Sequence, residues 1–353
     1  MKKVIILAIL DIIAIFCLLL AYGPYNGFRD MFVTTAMDTK SHKYLAYILY
    51  SEEQIKDILS KNYLKENNEI TNQDEINFDN EDPKHYESIY EEQILKRDKD
   101  ALYKIIEFDE KDYHVYLTAI YDASRLSTVK SRFYGTNGQH LSVMAQENDA
   151  IVAVNGGRFA DVGGQGNGAR ASQIFISNGE ILEDANGTRN PIIGISNDNV
   201  LTLGYMTADE AINMGIRDAV CFGPFLIVNG KESFTQGNGG YGVNPRTAIG
   251  QRKDGIILLL TIDGNGSKYG FRGGATVIDM IDIFKRYGAY NAANLDGGAS
   301  TVLAINGEVY NNPVAYSSTG ERSLPNAWIV KWIKVMKISL ILFVNGFLIK
   351  KVL

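Results

Sequence analysis

Residues 225–233 read FLIVNGKES, in which four apolar residues are followed by the pair Asn229-Gly230 and a polar run. An Asn-Gly pair also stands between mostly apolar residues in IFISNGEIL at 174–182 and in VLAINGEVY at 302–310. A two-residue type I′ turn needs positive φ at both central residues, and Asn-Gly adopts that conformation readily. The three segments therefore predict β-hairpins, and with them antiparallel strand pairing.

Glycine is concentrated around these hairpins, since 29 of the 34 glycines lie between Gly156 and Gly320. Short helical patterns alternate with the strands at 141–148, 207–214 and 276–287, and glycine directly follows the last two. Together these features predict an α+β fold with mixed, largely antiparallel β-sheets and flanking helices. The apolar fraction of 46% and the charged fraction of 22% exclude collagen, coiled coil and wholesale disorder.

The N-terminus has the pattern of a membrane-spanning helix. Lys2 and Lys3 precede the 19 residues from Val4 to Tyr22, which carry the single charge of Asp11. As a helix this run would be about 28 Å long, close to the thickness of a bilayer core. Lysines before the run and none directly after it favour an N-terminus inside the cell and the remaining chain outside. We expect a single-pass anchor, with a cleaved signal peptide and a secreted chain as the alternative.

The next segment is strongly acidic. Between Glu52 and Asp100 there are 15 Asp and Glu against 7 Lys and Arg, a net charge of −8, so the rest of the chain sums to +2. Residues 51–61 predict one capped helix, whereas residues 67–93 offer too little apolar surface for a core. This composition predicts a solvated spacer. The predicted division is an anchor at 1–22, the spacer at 23–104, a glycine-rich α+β domain at 105–331 and an apolar tail at 332–353.

The tail is too short to cross a membrane in its own right, because only 12 mostly apolar residues lie between Lys337 and Lys350 and about 20 are needed. It is expected to lie in the membrane interface or to be disordered. The net charge of −6 offers no basic field, so no nucleic-acid partner is expected. Two cysteines, Cys17 and Cys221, exclude a disulfide scaffold.

Histidine restricts the chemistry further. The four histidines, His42, His85, His114 and His140, all precede Asn155 in the chain. A Ser-His-Asp site, a Cys-His site or a His-rich zinc site built wholly within the glycine-rich region is therefore excluded. Carboxylates therefore remain as the candidates for acid-base and nucleophilic catalysis, and arginines as the candidates for anion binding. The candidates are Asp161, Asp263, Asp296 and Glu321 for the first, and Arg158, Arg246, Arg272 and Arg322 for the second.

Three apolar strands run directly into glycine loops that begin with a polar residue. IVAV precedes Asn155, ILLLTI ends before Asp263, and AANL precedes Asp296. If these strands are neighbours, their ends would converge at one edge, where glycine lets backbone N–H groups approach an anion. Asn-Gly and Asp-Gly pairs also form ordinary turns, and an arginine such as Arg246 also forms structural ion pairs, so both interpretations stay open.

The motifs, taken in chain order, carry a resemblance. They are NGGRF from Asn155, NPRTAIG from Asn244, IDG from Ile262, NLDGGAS from Asn294 and ERSLPNA from Glu321. This series resembles the phosphodiester glycosidase family over roughly residues 105–330, and the anchor and acidic spacer are similar to bacterial members of the exopolysaccharide-biosynthesis type. The resemblance implies hydrolysis of the glycosidic C1–O bond of a sugar-1-phosphodiester, such as an N-acetylglucosamine (GlcNAc) 1-phosphodiester. Arg158 stands where a smaller or aromatic residue is usual, and Ala299 replaces the usual small glycine or serine of the DGG loop.

Roles for the site residues follow as a hypothesis from the resemblance. Asp263 and Asp296 would act as nucleophile or base at the anomeric carbon, since carboxylates can stabilise or trap an oxocarbenium-like transition state. The phosphate would be held by Arg246 and Arg322 with Ser300, and Asn155 would contact sugar hydroxyls. The remaining predicted substrate-binding residues are Thr247, Gly297 and Gly298. No cofactor is expected; a structural Ca²⁺ in the loop at 262–270 is disfavoured because that loop has a single acidic residue.

The expected substrate is a sugar-phosphate polymer at the cell surface, an exopolysaccharide or a teichoic-acid-type polymer. Two other functions remain open. A non-catalytic surface module could bind anionic polysaccharide through the same arginines, and a phosphodiesterase could cleave the P–O bond, commonly with a bridging metal.

Overall fold

The structure, a computed structural model, describes residues 2–24, 26–39, 42–78, 85–110, 112–161, 166–264, 273–332, 339–344 and 347–352. The helices in this part of the chain are α1 (Lys2–Tyr22), α2 (Asn26–Asp38), α3 (Tyr44–Leu49), α4 (Glu52–Lys61), α5 (Ile89–Leu95), α6 (Leu141–Glu147), α7 (Ala208–Asn213) and α8 (Val277–Arg286). Three of them, α6 to α8, coincide with the predicted helices. Capping boxes begin α7 at Thr207 and α8 at Thr276, which explains why these short segments are helical.

Three sheets form the body of the molecule. The strands of the first half are β1 (Tyr63–Lys65), β2 (Tyr103–Asp109), β3 (His114–Ile120), β4 (Leu126–Lys130), β5 (Ala150–Asn155), β6 (Phe175–Ser177), β7 (Glu180–Glu183), β8 (Asn190–Ser196), β9 (Leu201–Met206) and β10 (Ile216–Cys221). Those of the second half are β11 (Phe225–Val228), β12 (Lys231–Glu232), β13 (Phe234–Gln236), β14 (Arg246–Arg252), β15 (Ile257–Asp263), β16 (Ala289–Asn294), β17 (Leu303–Ile305), β18 (Glu308–Val309), β19 (Asn326–Lys331), β20 (Ser339–Val344) and β21 (Phe347–Val352).

The largest sheet has seven strands in the order β12-β11-β16-β14-β15-β3-β2. Two five-stranded sheets have the orders β7-β6-β10-β8-β9 and β18-β17-β5-β19-β4. Two further pairs, β1 with β13 and β20 with β21, stand outside these sheets, and pairing is antiparallel throughout the described strands. The predicted α+β class, with largely antiparallel sheets and flanking helices, is confirmed.

All three predicted Asn-Gly hairpins are present. They join β6 to β7, β11 to β12 and β17 to β18. In each turn the asparagine has a φ between 51° and 53° and the glycine a φ between 73° and 78°. This is the double left-handed conformation that the type I′ turn requires, so a local signal determined these pairings.

The two faces of the seven-stranded sheet are covered differently. On β14, Ile249 points into the core shared with the five-stranded sheets, which also contains the fully buried Trp328. Its neighbour Ala248 points to the opposite face, where Met280 and Phe284 of α8 pack. Both faces are apolar, which explains why β14 and β15 are buried along almost their whole length.

The N-terminal helix agrees with the apolar pattern. Lys3–Tyr22 is a helical span of 20 residues. Its mean hydropathy is 3.2, and 6% of its residues are buried. This helix is long and apolar enough to cross a membrane, and a signal sequence would have the same properties. The described part of the tail forms the β20–β21 hairpin and so is not disordered, and its position in the membrane interface stays a prediction. Residues 333–338, 345–346 and 353 lie outside the described part.

The structure corrects the expectation of a solvated spacer. Strand β1 pairs with β13 of the domain, and Ile94 of α5 is buried in the core that contains Met280 and Phe284 of α8. The Thr71 N–H donates to the Leu203 carbonyl oxygen (3.0 Å), and the Leu203 N–H donates to Thr71 Oγ1 (2.9 Å). A few well-placed apolar residues and strand pairing therefore hold this acidic segment on the domain. The predicted domain boundaries themselves stay a prediction.

Candidate active site

Two of the three predicted strand ends meet beside the start of β14. This strand runs antiparallel between β15 and β16, with Arg246 opposite Ile262 and Ala248 opposite Asn294. Its first residue therefore lies between the end of β15 at Asp263 and the loop of Asp296, as the sequence predicted for neighbouring strands.

The third strand end, that of β5, belongs to a five-stranded sheet. Its last residue, Asn155, connects it to β14 and to the Asp296 loop. Its Nδ2 donates to the Asp296 carbonyl oxygen (2.6 Å), and its Oδ1 accepts from Thr247 Oγ1 (2.7 Å). The Asp296 N–H donates to the Gly156 carbonyl oxygen (3.3 Å). Asn155 and Thr247 are fully buried, so they position the Asp296 loop from beneath.

The loop after Asp296 folds back on the start of β14. Gly298 has a φ of 61°, and its N–H donates to the Pro245 carbonyl oxygen (2.8 Å). A Cβ at Gly297 would lie 3.0 Å from that same oxygen, so the backbone approach requires a small residue. Asp296 and both glycines are half-buried, and Ser300 is buried below them. This loop is the part of the predicted site that reaches solvent.

Asp263 lies on the opposite side of the sheet from Arg246, because the residue paired with Arg246 is its neighbour Ile262 and side chains alternate along a strand. Its carboxylate accepts from Asn311 Nδ2 (2.7 Å), from the Asn312 N–H (2.8 Å) and from Asn312 Nδ2 (3.2 Å). The Tyr116 hydroxyl bonds to it as well, and burial together with the Asp263 charge raises the pKa of Tyr116. The structure therefore does not bring Asp263 and Arg246 together.

Arg246 is buried and is bonded to the protein itself. Nε donates to the Ala275 carbonyl oxygen (3.1 Å), and Nη2 donates to the carbonyl oxygens of Tyr241 (2.5 Å) and Gly242 (3.0 Å). Nη2 also lies 3.4 Å from Asp38 Oδ2 of α2. Burial lowers the pKa of Arg246 and raises that of Asp38. In this position the guanidinium supports the loop at 241–245 and adds positive charge beneath the Asp296 loop.

Arg322 forms an ion pair with Asp161. Its Nη1 and Nη2 donate to the two carboxylate oxygens of Asp161 at 2.8 and 2.9 Å, a bidentate arrangement, and the guanidinium lies 4.8 Å from the centre of the Phe159 ring. Arg272, the remaining arginine of the predicted set besides Arg158, lies outside the described residues.

The fold places histidines near two candidate carboxylates, because His114 of β3 pairs with Asp263 of β15 and His140 lies beside Glu321. His140 Nδ1 lies 3.8 Å from Glu321 Oε2, although the two residues are far apart in the sequence. The buried Glu321 carboxylate also accepts from the Ser142 N–H (2.9 Å) and from Ser142 Oγ (2.7 Å). Although the glycine-rich segment contains no histidine, the fold therefore brings histidine from earlier in the chain close to candidate carboxylates.

Four buried side chains beside the Asp296 loop and at the start of β19, which pairs with the end of β5, have a polar atom without a hydrogen-bond partner in the described part of the chain. These atoms are Asn294 Oδ1, Ser300 Oγ, Thr301 Oγ1 and Asn326 Nδ2. Asn326 is tied to the first loop, because its Oδ1 accepts from the Gly157 N–H (3.0 Å). Buried polar atoms normally have partners, and exceptions are concentrated where water or a ligand completes the site.

Glu66 forms part of this site although its role was not predicted. Its carboxylate accepts from the Tyr205 hydroxyl (3.1 Å), and a Cβ at Gly223 would lie 3.4 Å from its Oε1. Gly223 in turn bonds to the end of β16, since Asn294 Nδ2 donates to its carbonyl oxygen (2.8 Å). Burial raises the pKa of Glu66, and the Tyr205 hydrogen bond partly offsets this. Within an acidic, low-complexity segment no sequence signal distinguishes Glu66.

Four charged side chains of this region act on the phenol of Tyr241. Burial raises its pKa to about 12, with Glu66 and Asp38 adding to the rise and Arg246 and Arg158 opposing it. Among the described residues, no group of three or more His, Cys, Asp or Glu has the arrangement of a metal site. Most of the loop at 262–270 that was considered for Ca²⁺, namely residues 265–270, lies outside the described part.

A sequence model of the phosphodiester glycosidase family matches residues 148–331, which is more than half of the chain. The chain therefore belongs to the phosphodiester glycosidase family, a family of enzymes that hydrolyse glycosidic bonds. The match contains the Asn155, Arg246, Asp263 and Asp296 motifs, and the resemblance seen in the sequence is confirmed.

The chain is 30% identical over 214 residues to the SPbeta prophage-derived uncharacterized protein YomE of Bacillus subtilis, covering 58% of this chain and 32% of that protein. It is 26% identical over 186 residues to the N-acetylglucosamine-1-phosphodiester alpha-N-acetylglucosaminidases of Bos taurus and Homo sapiens, covering 48% of this chain and 34% of each. The matched part thus spans about a third of the length of these relatives.

The fold is similar to that of the zebrafish N-acetylglucosamine-1-phosphodiester alpha-N-acetylglucosaminidase catalytic domain, a structure described as auto-inhibited by its pro-peptide. The TM-score is 0.54 at 22% identity, over 67% of this chain and 85% of that one. At this identity the comparison establishes the fold.

Proposed function

We propose that the chain hydrolyses the glycosidic C1–O bond of a sugar-1-phosphodiester. Family membership supports the reaction class, and the names of the mammalian relatives make a GlcNAc-1-phosphodiester the first substrate to test. The observation that carries the proposal is the Asp296 loop. A half-buried carboxylate stands there where three strand ends meet, among buried polar atoms that lack partners in the described structure.

In the proposed reaction, the bond between C1 and the phosphate oxygen breaks and its electron pair leaves with the phosphate. The oxygen of a water molecule forms the new bond to C1, so the products are a free sugar and a phosphomonoester. Asp296 either attacks C1 first or removes the proton from that water, and both routes place its carboxylate beside C1. An anionic phosphate needs little proton donation to depart, so nearby positive charge and hydrogen-bond donors suffice.

The other predicted residues support this centre to different degrees. The Gly297-Gly298 backbone and Ser300 would line the phosphate side, with Thr247 and the Arg246 charge beneath them. Asn155 positions the Asp296 loop. Asp263 and Arg322 hold neighbouring segments through Asn311, Asn312 and Asp161.

The proposed location is the cell surface, with α1 as the anchor and the domain outside. The lysines that precede α1 and the length of this helix support that arrangement. The proposed physiological substrate is a sugar-phosphate polymer of the exopolysaccharide or teichoic-acid type.

The test is hydrolysis of a GlcNAc-1-phosphodiester of a small alcohol in ¹⁸O-water. Label in the released GlcNAc is expected, because the water oxygen attacks C1. Label in the phosphate would identify P–O cleavage instead, and binding without any product would identify a non-catalytic module. D296N should lower turnover by about 10³-fold or more with an unchanged melting temperature. D209N, which removes an exposed charge on α7, is the matched control and should keep full activity.

A further inference from the structure

Arg158 extends from the first loop of the site. It follows Asn155-Gly156-Gly157, and the Gly156 carbonyl oxygen accepts from the Asp296 N–H. Its own backbone is held on both sides, because its N–H donates to the Cys221 carbonyl oxygen (2.8 Å) and its carbonyl oxygen accepts from the Ser172 N–H (3.0 Å). The backbone of Arg158 is thus fixed two residues from a direct contact with Asp296, while its side chain is exposed.

Among the described residues, Arg158 has no ion-pair partner. Within the described part of 112–332, each of the other arginines has a carboxylate oxygen within 4.0 Å; these are Arg125, Arg132, Arg170, Arg189, Arg217, Arg246, Arg252, Arg286 and Arg322. Arg158 forms no such pair with any described residue. An arginine whose five N–H donors remain available can accept a planar, bidentate anion.

The surroundings of Arg158 suit a sugar phosphate. Its guanidinium carbon lies 5.3 Å from the centre of the Phe222 ring, which supports the side chain over an apolar surface. A Cβ at the adjacent Gly223 would lie 3.4 Å from Glu66 Oε1, and the Gly223 carbonyl oxygen accepts from Asn294 Nδ2, two residues before Asp296. The positive charge of Arg158 also acts on the phenols of Tyr205 and Tyr241. A cation, an aromatic ring and a carboxylate therefore lie beside residues 222–223, the second of which is bonded to Asn294 just before the Asp296 loop.

We propose that the Arg158 guanidinium binds the phosphate group of the sugar-1-phosphodiester and thereby selects a charged diester over a neutral glycoside. The inference rests on the proposed function, since it assigns the phosphate contact of that same site. Of the four arginines considered from the sequence, Arg246 and Arg322 are bonded to protein groups, which leaves Arg158 as the described candidate with available donors. Arginine forms two parallel, charge-assisted hydrogen bonds to phosphate oxygens, which a smaller or aromatic residue could not supply.

The experiment compares the full-length protein in detergent with R158Q, R158K and R170Q. Binding is measured by calorimetry with a phosphonate in which CH₂ replaces the glycosidic oxygen of the GlcNAc-1-phosphodiester, so that no bond can be cleaved. R158Q should bind about 10- to 150-fold more weakly, the range for losing a hydrogen bond to a charged group. R158K, which keeps the charge but not the bidentate geometry, should show an intermediate loss. R170Q removes an exposed arginine paired with Glu183 and should stay within about twofold of the original affinity.

Hydrolysis of the diester and of a neutral aryl α-N-acetylglucosaminide is measured alongside. The R158Q defect should be confined to the diester, and all variants should melt at the same temperature because Arg158 is exposed. R158Q or R158K binding the phosphonate as tightly as the unaltered protein would overturn the inference, even if diester hydrolysis is intact. Phosphonate binding without hydrolysis would contradict the proposed function alone. Failure of the unaltered protein to bind the phosphonate would overturn both.

Discussion

Two aspartates with the same local context have different surroundings in the fold. Asp263 and Asp296 each follow an apolar strand and precede glycine. Asp263 is buried, and donors from Asn311 and Asn312 occupy its carboxylate, whereas Asp296 is half-buried in a glycine loop. The difference arises from residues 48 and 49 positions further along the chain, so the Asp-Gly pair alone could not reveal it.

The first prediction concerns Asp263. D263N should lower the free energy of unfolding by about 1–3 kcal/mol, because an amide nitrogen would face the donors of Asn311 and Asn312 in place of an acceptor. The measurement is urea unfolding at pH 7, with D296N as the comparison. If D263N unfolds at the same urea concentration as the original protein and loses only activity, Asp263 acts in catalysis and not in holding this turn.

The second prediction is a pH dependence that arises from Glu66. Burial raises its pKa in the folded protein above the ordinary value of 4.5, so the folded state favours the protonated carboxyl. The stability associated with this group is therefore complete below pH 4.5 and decreases as the pH rises through the folded-state pKa. E66Q, which resembles the protonated form, lacks that decrease and should gain stability relative to the original protein on going from pH 4 to pH 7.

This comparison is made by thermal unfolding at several pH values, with E69Q as the matched control. Glu69 is close in sequence but forms an exposed pair with Lys231 that lowers its pKa, so E69Q should lose stability relative to the original protein over the same pH interval. A difference between E66Q and the original protein that is independent of pH would contradict the assignment.

At the scale of single elements, local signals were sufficient for most of the domain. The Asn-Gly turns and the capping boxes at Thr207 and Thr276 act through neighbouring backbone groups, so their effect is contained in a few consecutive residues. Strand β1 is different. Its three residues are half-exposed or exposed, and they form a strand because β13 offers a partner, with Leu64 opposite Thr235, 171 positions further along the chain.

A third prediction follows for the N-terminal boundary. A fragment of residues 105–331 begins within β2 and lacks β1 and the Thr71 contacts with Leu203, so it should expose apolar surface and aggregate. A fragment of residues 26–332 keeps these contacts and should be monodisperse with a single cooperative melt. Size-exclusion chromatography and calorimetry distinguish them, and a well-folded 105–331 fragment would show that the acidic segment is dispensable.

At the scale of the whole molecule, the candidate site lies where two sheets meet. Asn155 ends β5 of one five-stranded sheet. Thr247 lies near the start of β14 and Asp296 follows the end of β16, and both strands belong to the seven-stranded sheet. Asp38 of α2 and Glu66 of the acidic segment contribute from outside the residues that match the family. The site is therefore assembled from parts of the chain that are distant in sequence.

The fourth prediction concerns membrane attachment. Deleting residues 2–22 should move the protein from the membrane fraction to the soluble fraction, because no comparable apolar helix remains among the described residues. Activity on a small soluble phosphodiester should be retained, since the site residues lie on other elements. Fractionation with a carbonate wash provides the measurement. Recovery of the undeleted chain in the medium, with a new N-terminus near residue 23, would indicate a cleaved signal sequence instead.

The sequence by itself determined the antiparallel α+β class, the apolar N-terminal helix, the hairpins and the family, because each depends on neighbouring residues or on short ordered motifs. Only the tertiary structure decided that Asp263 and Arg246 lie on opposite sides of a sheet, that Arg322 is paired with Asp161, and that the acidic segment packs on the domain. Those features are determined by the register of the paired strands and by contacts between residues distant in the sequence. Both depend on which distant strands pair, and no stretch of sequence contains that information alone.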